Sequence, residues 1–271
     1  MHPIERLRYV ARADGAGPSL LVREAAGALA AFADDPAGLV TAARRLVDRH
    51  PTAGPMWWLA ARVLGAPDAM REAWLAAEEL DDDPTASVLA GLLPSELTVV
   101  ALGWPENVAE ALRRRGDLEA LIVDACGEGG ALARRLEASG VDAVDVPESG
   151  LAAAVAHAGL VLLEATAVGP DGFVATAGSR AAASVARSAG VPVWLVAGTG
   201  RVLPGRIWQA LLRRLDLDDS EAWDRIEEVV PLGLVDQVVG PSGPQPPGEA
   251  FRRADCPVAP ELLKPVGGWS A

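Results

Sequence analysis

Two glycine-containing segments of this sequence combine residue types that can bind an anion. Gly178-Ser179-Arg180 opens a predicted helix, where unpaired backbone N–H groups and the positive end of the helix dipole favour negative charge. In Gly198-Thr199-Gly200-Arg201 the glycines let backbone amides turn toward a ligand, and Thr199 and Arg201 add side-chain donors. Both segments predict a small anionic ligand. A long turn with an ordinary helix cap has the same composition and stays an alternative.

A third segment, Gly127–Leu132, partly matches the glycine fingerprint of dinucleotide-binding proteins. Leu132 stands where a small residue is required, and the segment follows the second predicted strand rather than the first. A plain glycine-rich turn is therefore favoured. No lysine follows the glycines of residues 198–201, and the single lysine, Lys264, lies in the tail, so a Walker loop is not supported. We predict no cofactor and, since no paired Cys/His spacing occurs, no metal site.

The composition excludes several classes of partner. The chain has 271 residues, 50% of them hydrophobic, and a formal net charge of −13. A strongly acidic protein repels phosphate backbones and anionic lipid heads, so we expect no nucleic acid and no membrane as partner. Cys126 and Cys256 are too few for a disulfide framework and fit a reducing compartment. The first fifteen residues lack the apolar run of a signal peptide, so we expect a cytoplasmic protein.

The hydrophobic pattern predicts an α/β fold, and its first part, residues 1–93, a helical bundle. Apolar residues recur there at helical spacing, for example Ile4, Leu7 and Val10 and then Leu39, Ala43 and Leu46. Asp35-Pro36 and Asp83-Pro84 each place a capping acceptor before a proline, which is typical of a helix start.

Residues 94–240 alternate between short strands and helices and predict a Rossmann-like parallel sheet with helices on both faces. Ligands of such sheets bind beyond the carboxyl ends of the strands, so these ends should build the site. They include Asp124 after the second strand. Residues 241–271 begin with four prolines in seven residues and predict an irregular tail. The predicted strands are 97–102, 121–123, 143–146, 160–163 and 193–196. The predicted helices are 105–115, 129–139, 149–158 and 178–189. The segments expected to build the site are 103–107, 124–130, 164–179 and 197–201.

Four short patches resemble one family: the alpha, beta and delta subunits of translation initiation factor 2B, with methylthioribose-1-phosphate and ribose-1,5-bisphosphate isomerases. The resemblance implies a two-domain fold, a homodimer formed through the Rossmann-like half, and a pocket for a phosphorylated sugar or nucleotide. The patches are His50-Pro51-Thr52-Ala53 with Trp58 and Arg62, Glu164–Ser179, Gly190-Val191-Pro192-Val193, and Val230-Pro231 with Leu234–Val238.

The resemblance also implies that the isomerase chemistry is missing. The positions matching the family's catalytic cysteine, catalytic aspartate and phosphate-binding Arg-Pro pair are about Gly103, Thr166 and Cys126-Gly127. Threonine at its ordinary pKa cannot relay a proton as a carboxylate does. We therefore expect a non-catalytic or weakly catalytic homodimer that binds a phosphorylated sugar or nucleotide, with Thr166 in its site, or a protein partner.

The alternative is an aldose-ketose isomerase with a rearranged active site. In that reading Glu164 or Asp171 replaces the missing acid and Cys126 supplies a thiol from a neighbouring strand end. Whether the protein is an enzyme stays open at this stage.

Overall fold

The structure is a computed structural model and describes residues 18–215, 221–250 and 254–264. Its first part is helical, as predicted, although Ile4, Leu7 and Val10 lie outside the described residues. No helix among the described residues is long and apolar enough to cross a membrane. The helices of this part are α1 (Pro18–Ala30), α2 (Pro36–Arg49), α3 (Gly54–Gly65), α4 (Ala69–Asp81) and α5 (Thr85–Leu92).

Helix α2 shows how these segments form. The Asp35 side chain accepts a hydrogen bond from the Gly38 amide at 3.0 Å, and Pro36 occupies the first turn. Its apolar residues fall on one face and are buried against the neighbouring helices. The buried residues of α2 are Leu39, Ala42, Ala43, Leu46 and Val47.

The second part is the predicted Rossmann-like sheet with helices on both faces. Its strands are β1 (Thr98–Leu102), β2 (Glu119–Val123), β3 (Asp142–Val146), β4 (Leu160–Val168), β5 (Gly172–Thr176), β6 (Val193–Val196), β7 (Glu227–Pro231), β8 (Gln237–Gly240) and β9 (Gly243–Gln245), and its helices are α6 (Glu106–Arg113), α7 (Gly129–Glu137), α8 (Leu151–His157), α9 (Ser179–Ala189) and α10 (Gly205–Leu215).

The main sheet has the strand order β3-β2-β1-β4-β6-β8-β9, and all of these pairs except β8–β9 are parallel. The chain builds outward from β1 to β3 and then returns to the other side of β1. The topological switch point therefore lies between β1 and β4, where ligands of doubly wound sheets bind. Helices α5, α6 and α7 cover one face of the sheet, and α8 and α9 cover the other.

The segment 164–179, expected as an irregular site segment, differs from that expectation. Strand β4 continues to Val168, and residues 169–172 form a tight turn closed by the Gly169 amide on the Gly172 carbonyl at 2.8 Å. Strand β5 returns antiparallel to β4 and pairs with β7, which is more than fifty residues later in the chain. Because β7 is distant in sequence, no local pattern indicates its pairing with β5.

Residues 254–264 of the tail pack on the N-terminal helices. Cys256, Ala259 and Leu262 belong to the same hydrophobic cluster as α1–α4, and α10 contributes Ile207 and Trp208 to it. Within the segment expected to be irregular, Gly243–Gln245 forms strand β9 on the edge of the sheet. The domain limits at residues 93 and 240 stay a prediction, since residues from beyond both limits share this core.

Candidate functional site at the strand ends

Glu164 lies in β4 where the parallel part of the sheet ends. Its register partner in β6 is Val196, the last residue of that strand, and the next residue of β4 already pairs with antiparallel β5. The Glu164 side chain is only 6% exposed. A carboxylate at this depth requires charge-bearing or hydrogen-bonding partners, because desolvation of an unpaired charge costs several kcal/mol.

Three neighbours satisfy the Glu164 carboxylate. Arg201 Nη1 lies 2.8 Å from Oε1, Asn107 Nδ2 donates to Oε1 at 3.3 Å, and the Val108 amide donates to Oε2 at 3.1 Å. Val108 belongs to the first turn of α6, so the carboxylate binds the positive end of that helix. The crevice between β1 and β4 is thus occupied by a side chain of the protein itself.

Glu106 completes this group of charges. Burial raises its pKa from the ordinary value of 4.5, nearby Glu164 raises the pKa further, and Arg201 lowers it. Two carboxyl groups close to one arginine therefore have different environments: Glu164 is paired with the guanidinium, whereas Glu106 is biased toward its neutral form.

The loop after β6 carries a second internal carboxylate. Asp83, which precedes α5, accepts a hydrogen bond from the Thr199 amide at 3.0 Å and also bonds the amide and hydroxyl of Thr85. A Cβ on Gly198 would lie 2.3 Å from Asp83 Oδ2, so the close approach requires glycine there. The amide predicted to turn toward a ligand is bonded to Asp83 instead.

The start of α9 shows the same arrangement. Gly178 has a φ of 95°, Ser179 is buried, and the Arg180 amide donates to Glu228 Oε1 of β7 at 3.0 Å. The predicted anion-binding helix start is therefore present, and a carboxylate from the neighbouring strand occupies it.

The glycine-rich turn after β2 is a structural turn. Asp124 Oδ1 accepts from the Gly130 amide at 3.4 Å, and a Cβ on Gly130 would lie 2.8 Å from Asp145 Oδ2. A Cβ on Gly129 would lie 2.6 Å from the Val123 carbonyl oxygen. These glycines let α7 pack closely on the strand, which favours the plain-turn interpretation of the sequence.

Cys126 is exposed and has a φ of 56°. Burial of its sulfur raises the pKa of the thiol, and the carboxylates of Glu128, Glu148, Asp124 and Glu227 raise the pKa further. Its Sγ lies 3.7 Å from the Ile226 carbonyl oxygen. A cysteine in an acidic environment is a weak nucleophile at neutral pH because little thiolate forms.

Asp171 and Thr166 have other partners again. Asp171 lies in the β4–β5 turn and accepts a hydrogen bond from Trp208 Nε1 at 2.6 Å, whereas the Thr166 hydroxyl faces the Val174 carbonyl of β5 at 3.4 Å. Strand geometry separates Val168 from Glu164 by about 13 Å, and Asp171 lies beyond Val168. Glu164, Asp171 and Cys126 thus contact different residues.

A cavity of about 330 Å³ lies beside the loop after β6, at the carboxyl ends of β6 and β8. Residues 197–200 line one wall, and the acidic residues that line it are Glu79 and Asp255. The described residues include no cluster of three His, Cys, Asp or Glu side chains placed to hold a metal ion. An acidic lining disfavours a phosphorylated ligand.

The structure thus brings together Glu164, Arg201 and the loop containing Thr199, and adds Asp83, Glu106 and Asn107. The sequence places residues 103–107 at a strand end, but it singles out neither Asp83 nor Glu106 as a site residue. It also missed Glu228, which comes from a strand that was not predicted. The Asp83-Pro84 pair predicts a helix cap, and this capping signal is the feature of the sequence that marks the position of Asp83.

Comparison with known proteins gives structural matches only. No family model matches the sequence, and no curated protein matches it. The solved structure of translation initiation factor eIF-2B from Pyrococcus horikoshii OT3 has a TM-score of 0.76 at 17% identity, covering 92% of this chain and 98% of that one. eIF2B beta from Chaetomium thermophilum has a TM-score of 0.74 at 18% identity, covering 98% of this chain and 94% of that one.

An isomerase has a similar structure. 5-Methylthioribose 1-phosphate isomerase from Pyrococcus horikoshii OT3 has a TM-score of 0.64 at 15% identity, covering 92% of this chain and 85% of that one. The chain therefore has the fold shared by initiation factor 2B subunits and this isomerase, as the sequence motifs indicated. At these identities the likeness establishes the fold and leaves the function to the site.

Proposed function

We propose that this protein is an initiation factor 2B-like interaction protein that forms a homodimer, binds a protein partner and has no isomerase activity. One observation carries the proposal: carboxylates of the chain occupy the backbone amides that the fold offers to an anion. Glu164 binds the start of α6, Glu228 the start of α9, and Asp83 the Thr199 amide.

The occupied amides disfavour one of the two expected partners, the phosphorylated sugar or nucleotide, and leave the protein partner. A phosphate group that entered any of these places would have to displace a carboxylate or lie beside it. Two like unit charges 4 Å apart repel by about 4 kcal/mol at an effective dielectric constant of 20. In the part of the chain that the structure describes, the arginine paired with this group is Arg201, which already donates to Glu164 and to the Ala165 carbonyl.

A ligand-stabilisation experiment tests this part. Thermal unfolding of the protein with ribose-1,5-bisphosphate, methylthioribose-1-phosphate and purine mononucleotides at millimolar concentration should leave Tm unchanged. A ligand present at one hundred times its Kd would add about 2.7 kcal/mol of stability, which is easily measured. A rise in Tm with any of these compounds would reject the proposal that the amides are closed to phosphate.

The homodimer is supported by an exposed apolar surface along β7. Trp223, Ile226 and Val229 are 80%, 69% and 39% exposed. In the described chain β7 pairs with β5 only, which leaves its other edge without a strand. Large apolar side chains beside an open strand edge are typical of an interface, and a second copy of the same surface closes a symmetric dimer.

Light scattering after size-exclusion chromatography tests the dimer. The unmodified protein should have the mass of two chains, and Trp223→Ser/Ile226→Ser should have the mass of one. The matched control is Met70→Ser/Trp74→Ser, because these two side chains are also exposed, at 49% and 42%, but lie on α4. A monomeric unmodified protein, or a dimer that survives the first pair of substitutions, would reject this interface.

The free cysteines also support the cytoplasmic location expected from the sequence, as part of the same proposal. Cys126 and Cys256 are both unpaired. A reducing compartment keeps such thiols free. Fractionation of the source cells should recover the protein with the soluble cytosolic enzymes, and recovery in an oxidising compartment would contradict the location.

A second candidate function, an aldose-ketose isomerase acting on a pentose phosphate, is favoured by one observation. At the topological switch point the pKa of Glu106 is raised by burial and by nearby Glu164, as in a general acid, while Glu164 is ion-paired with Arg201. Turnover of ribose-1,5-bisphosphate or methylthioribose-1-phosphate that is lost in Glu106→Gln and Glu164→Gln would establish it. A folded protein without turnover of either compound would exclude both substrates.

A further inference from the structure

The outer face of α10 concentrates positive charge in a protein whose formal net charge is −13. Arg206, Gln209 and Arg213 are exposed and follow one another at helical spacing, so they lie on one face of the helix. They line a cavity of about 710 Å³ between α10, the β4–β5 turn and the tail. The remaining lining residues are Pro170, Asp171, Gly205 and Leu263.

The two guanidinium groups retain their charge in this cavity. Among the described residues Arg206 has no hydrogen-bond or ion-pair partner, and Arg213 donates only to the neutral carbonyl of Leu263 at 3.2 Å. One carboxylate, Asp171, opposes them, and its Oδ1 accepts from Trp208 Nε1. Two arginines against one aspartate leave the lining positive, and Gly205 adds the positive end of the α10 dipole.

The spacing of the arginines selects the ligand's shape. Seven residues of α-helix separate Arg206 from Arg213, which corresponds to about 10.5 Å along the axis. A peptide in the polyproline II conformation has three residues per turn and rises about 3.1 Å per residue, so carboxylates three residues apart lie on one face and are separated by about 9 Å. Gln209 lies between the arginines and has an amide that can bond the peptide backbone.

We propose that this cavity, lined by Arg206, Gln209 and Arg213, binds an acidic peptide segment of a partner protein in the polyproline II conformation, with carboxylates three residues apart. The surface is separate from the β7 surface assigned to the dimer and from the strand-end carboxylates. The inference rests on the proposed function in one respect, that the protein acts through a protein partner. The experiment below measures peptide affinity, whereas the dimer experiment measures the mass of the particle, so the two proposals can fail separately.

Fluorescence anisotropy with two labelled peptides of equal composition tests the proposal. The first is Glu-Ser-Ser-Glu-Ser-Ser-Glu and the second is Glu-Glu-Glu-Ser-Ser-Ser-Ser. The full chain should bind the spaced peptide at least about tenfold more tightly, equivalent to about 1.4 kcal/mol. Equal affinity for both, or no binding of either at millimolar concentration, would overturn the proposal.

Charge-reversal variants locate the binding. Arg206→Glu/Arg213→Glu should abolish binding, whereas Arg71→Glu/Arg134→Glu, which changes the net charge equally at exposed arginines elsewhere, should retain it. Asp171→Asn should increase the affinity, because it removes the one opposing charge and keeps an oxygen for Trp208. Equal losses in the two double variants, or a binding of inorganic phosphate that competes fully at the same concentration as the peptide, would reject the peptide site.

Discussion

The Arg201 guanidinium and the Glu164 carboxylate form a buried ion pair, Nη1 to Oε1 at 2.8 Å, at the point where the parallel sheet ends. Arg201 also donates to the Ala165 carbonyl at 2.5 Å, so it bridges the loop after β6 and the middle of β4. The pair fills the crevice in which a doubly wound sheet ordinarily holds a ligand. The following expectations derive from this pair and its surroundings.

Removal of one partner of this pair should be strongly destabilising. Glu164→Ala leaves Arg201 buried and unpaired, and we expect a loss of about 3–5 kcal/mol in the free energy of unfolding. Urea unfolding measures it. The double variant Glu164→Leu/Arg201→Met should lose less than Glu164→Ala, because it removes both charges. If the double variant loses as much as the sum of Glu164→Leu and Arg201→Met measured singly, the pair is not coupled.

Glu106 should make the protein less stable as pH rises. Its pKa is raised in the folded state above the ordinary value of 4.5. Its contribution is therefore fully present below the unfolded pKa and is lost as pH rises through the folded pKa. Glu106→Gln should have a higher Tm than the unmodified protein at pH 7, with the difference vanishing below about pH 4. An unchanged difference across that range would contradict the raised pKa.

Both cysteines should react slowly with iodoacetamide at pH 7.5. The acidic surroundings raise the pKa of Cys126, and burial raises that of Cys256 to about 12. Alkylation requires the thiolate, so Cys126 should react more slowly than N-acetylcysteine despite its exposure. Mass spectrometry follows each site, and urea-unfolded protein is the control in which both should reach the rate of the free thiol. Rapid labelling of folded Cys126 would instead support a catalytic thiol.

Gly54 should be essential for the contact between α3 and β4. A Cβ at this position would lie 2.6 Å from the Thr166 carbonyl oxygen and 3.1 Å from the Arg201 Cα. Gly54→Ala should therefore cost about 1–3 kcal/mol of stability through overpacking against backbone. Gly65→Ala is the control in the same helix, because nothing lies within 4 Å of its Cβ position. Equal unfolding midpoints for the two variants would contradict the close packing.

Much of the fold follows from local patterns. The five predicted strands of the main sheet and the four predicted helices between them are present, with bounds that differ by a few residues. Hydrophobic periodicity and glycine turns encode these elements locally, so they can be predicted from short windows. The pairing of β5 with β7 could not be predicted in this way, since these two strands are more than fifty residues apart in the chain.

The sequence by itself determined the helical first part, the alternation of five strands with four helices, the acidic charge, and the glycine loops whose amides favour an anion. Only the tertiary structure decided what those amides bind. Asp83, Glu164 and Glu228 come from a helix start and two strands that are distant in sequence from the amides they reach. Local composition specifies donors, whereas their partners depend on which strands become neighbours in the sheet, and long-range packing alone fixes that arrangement.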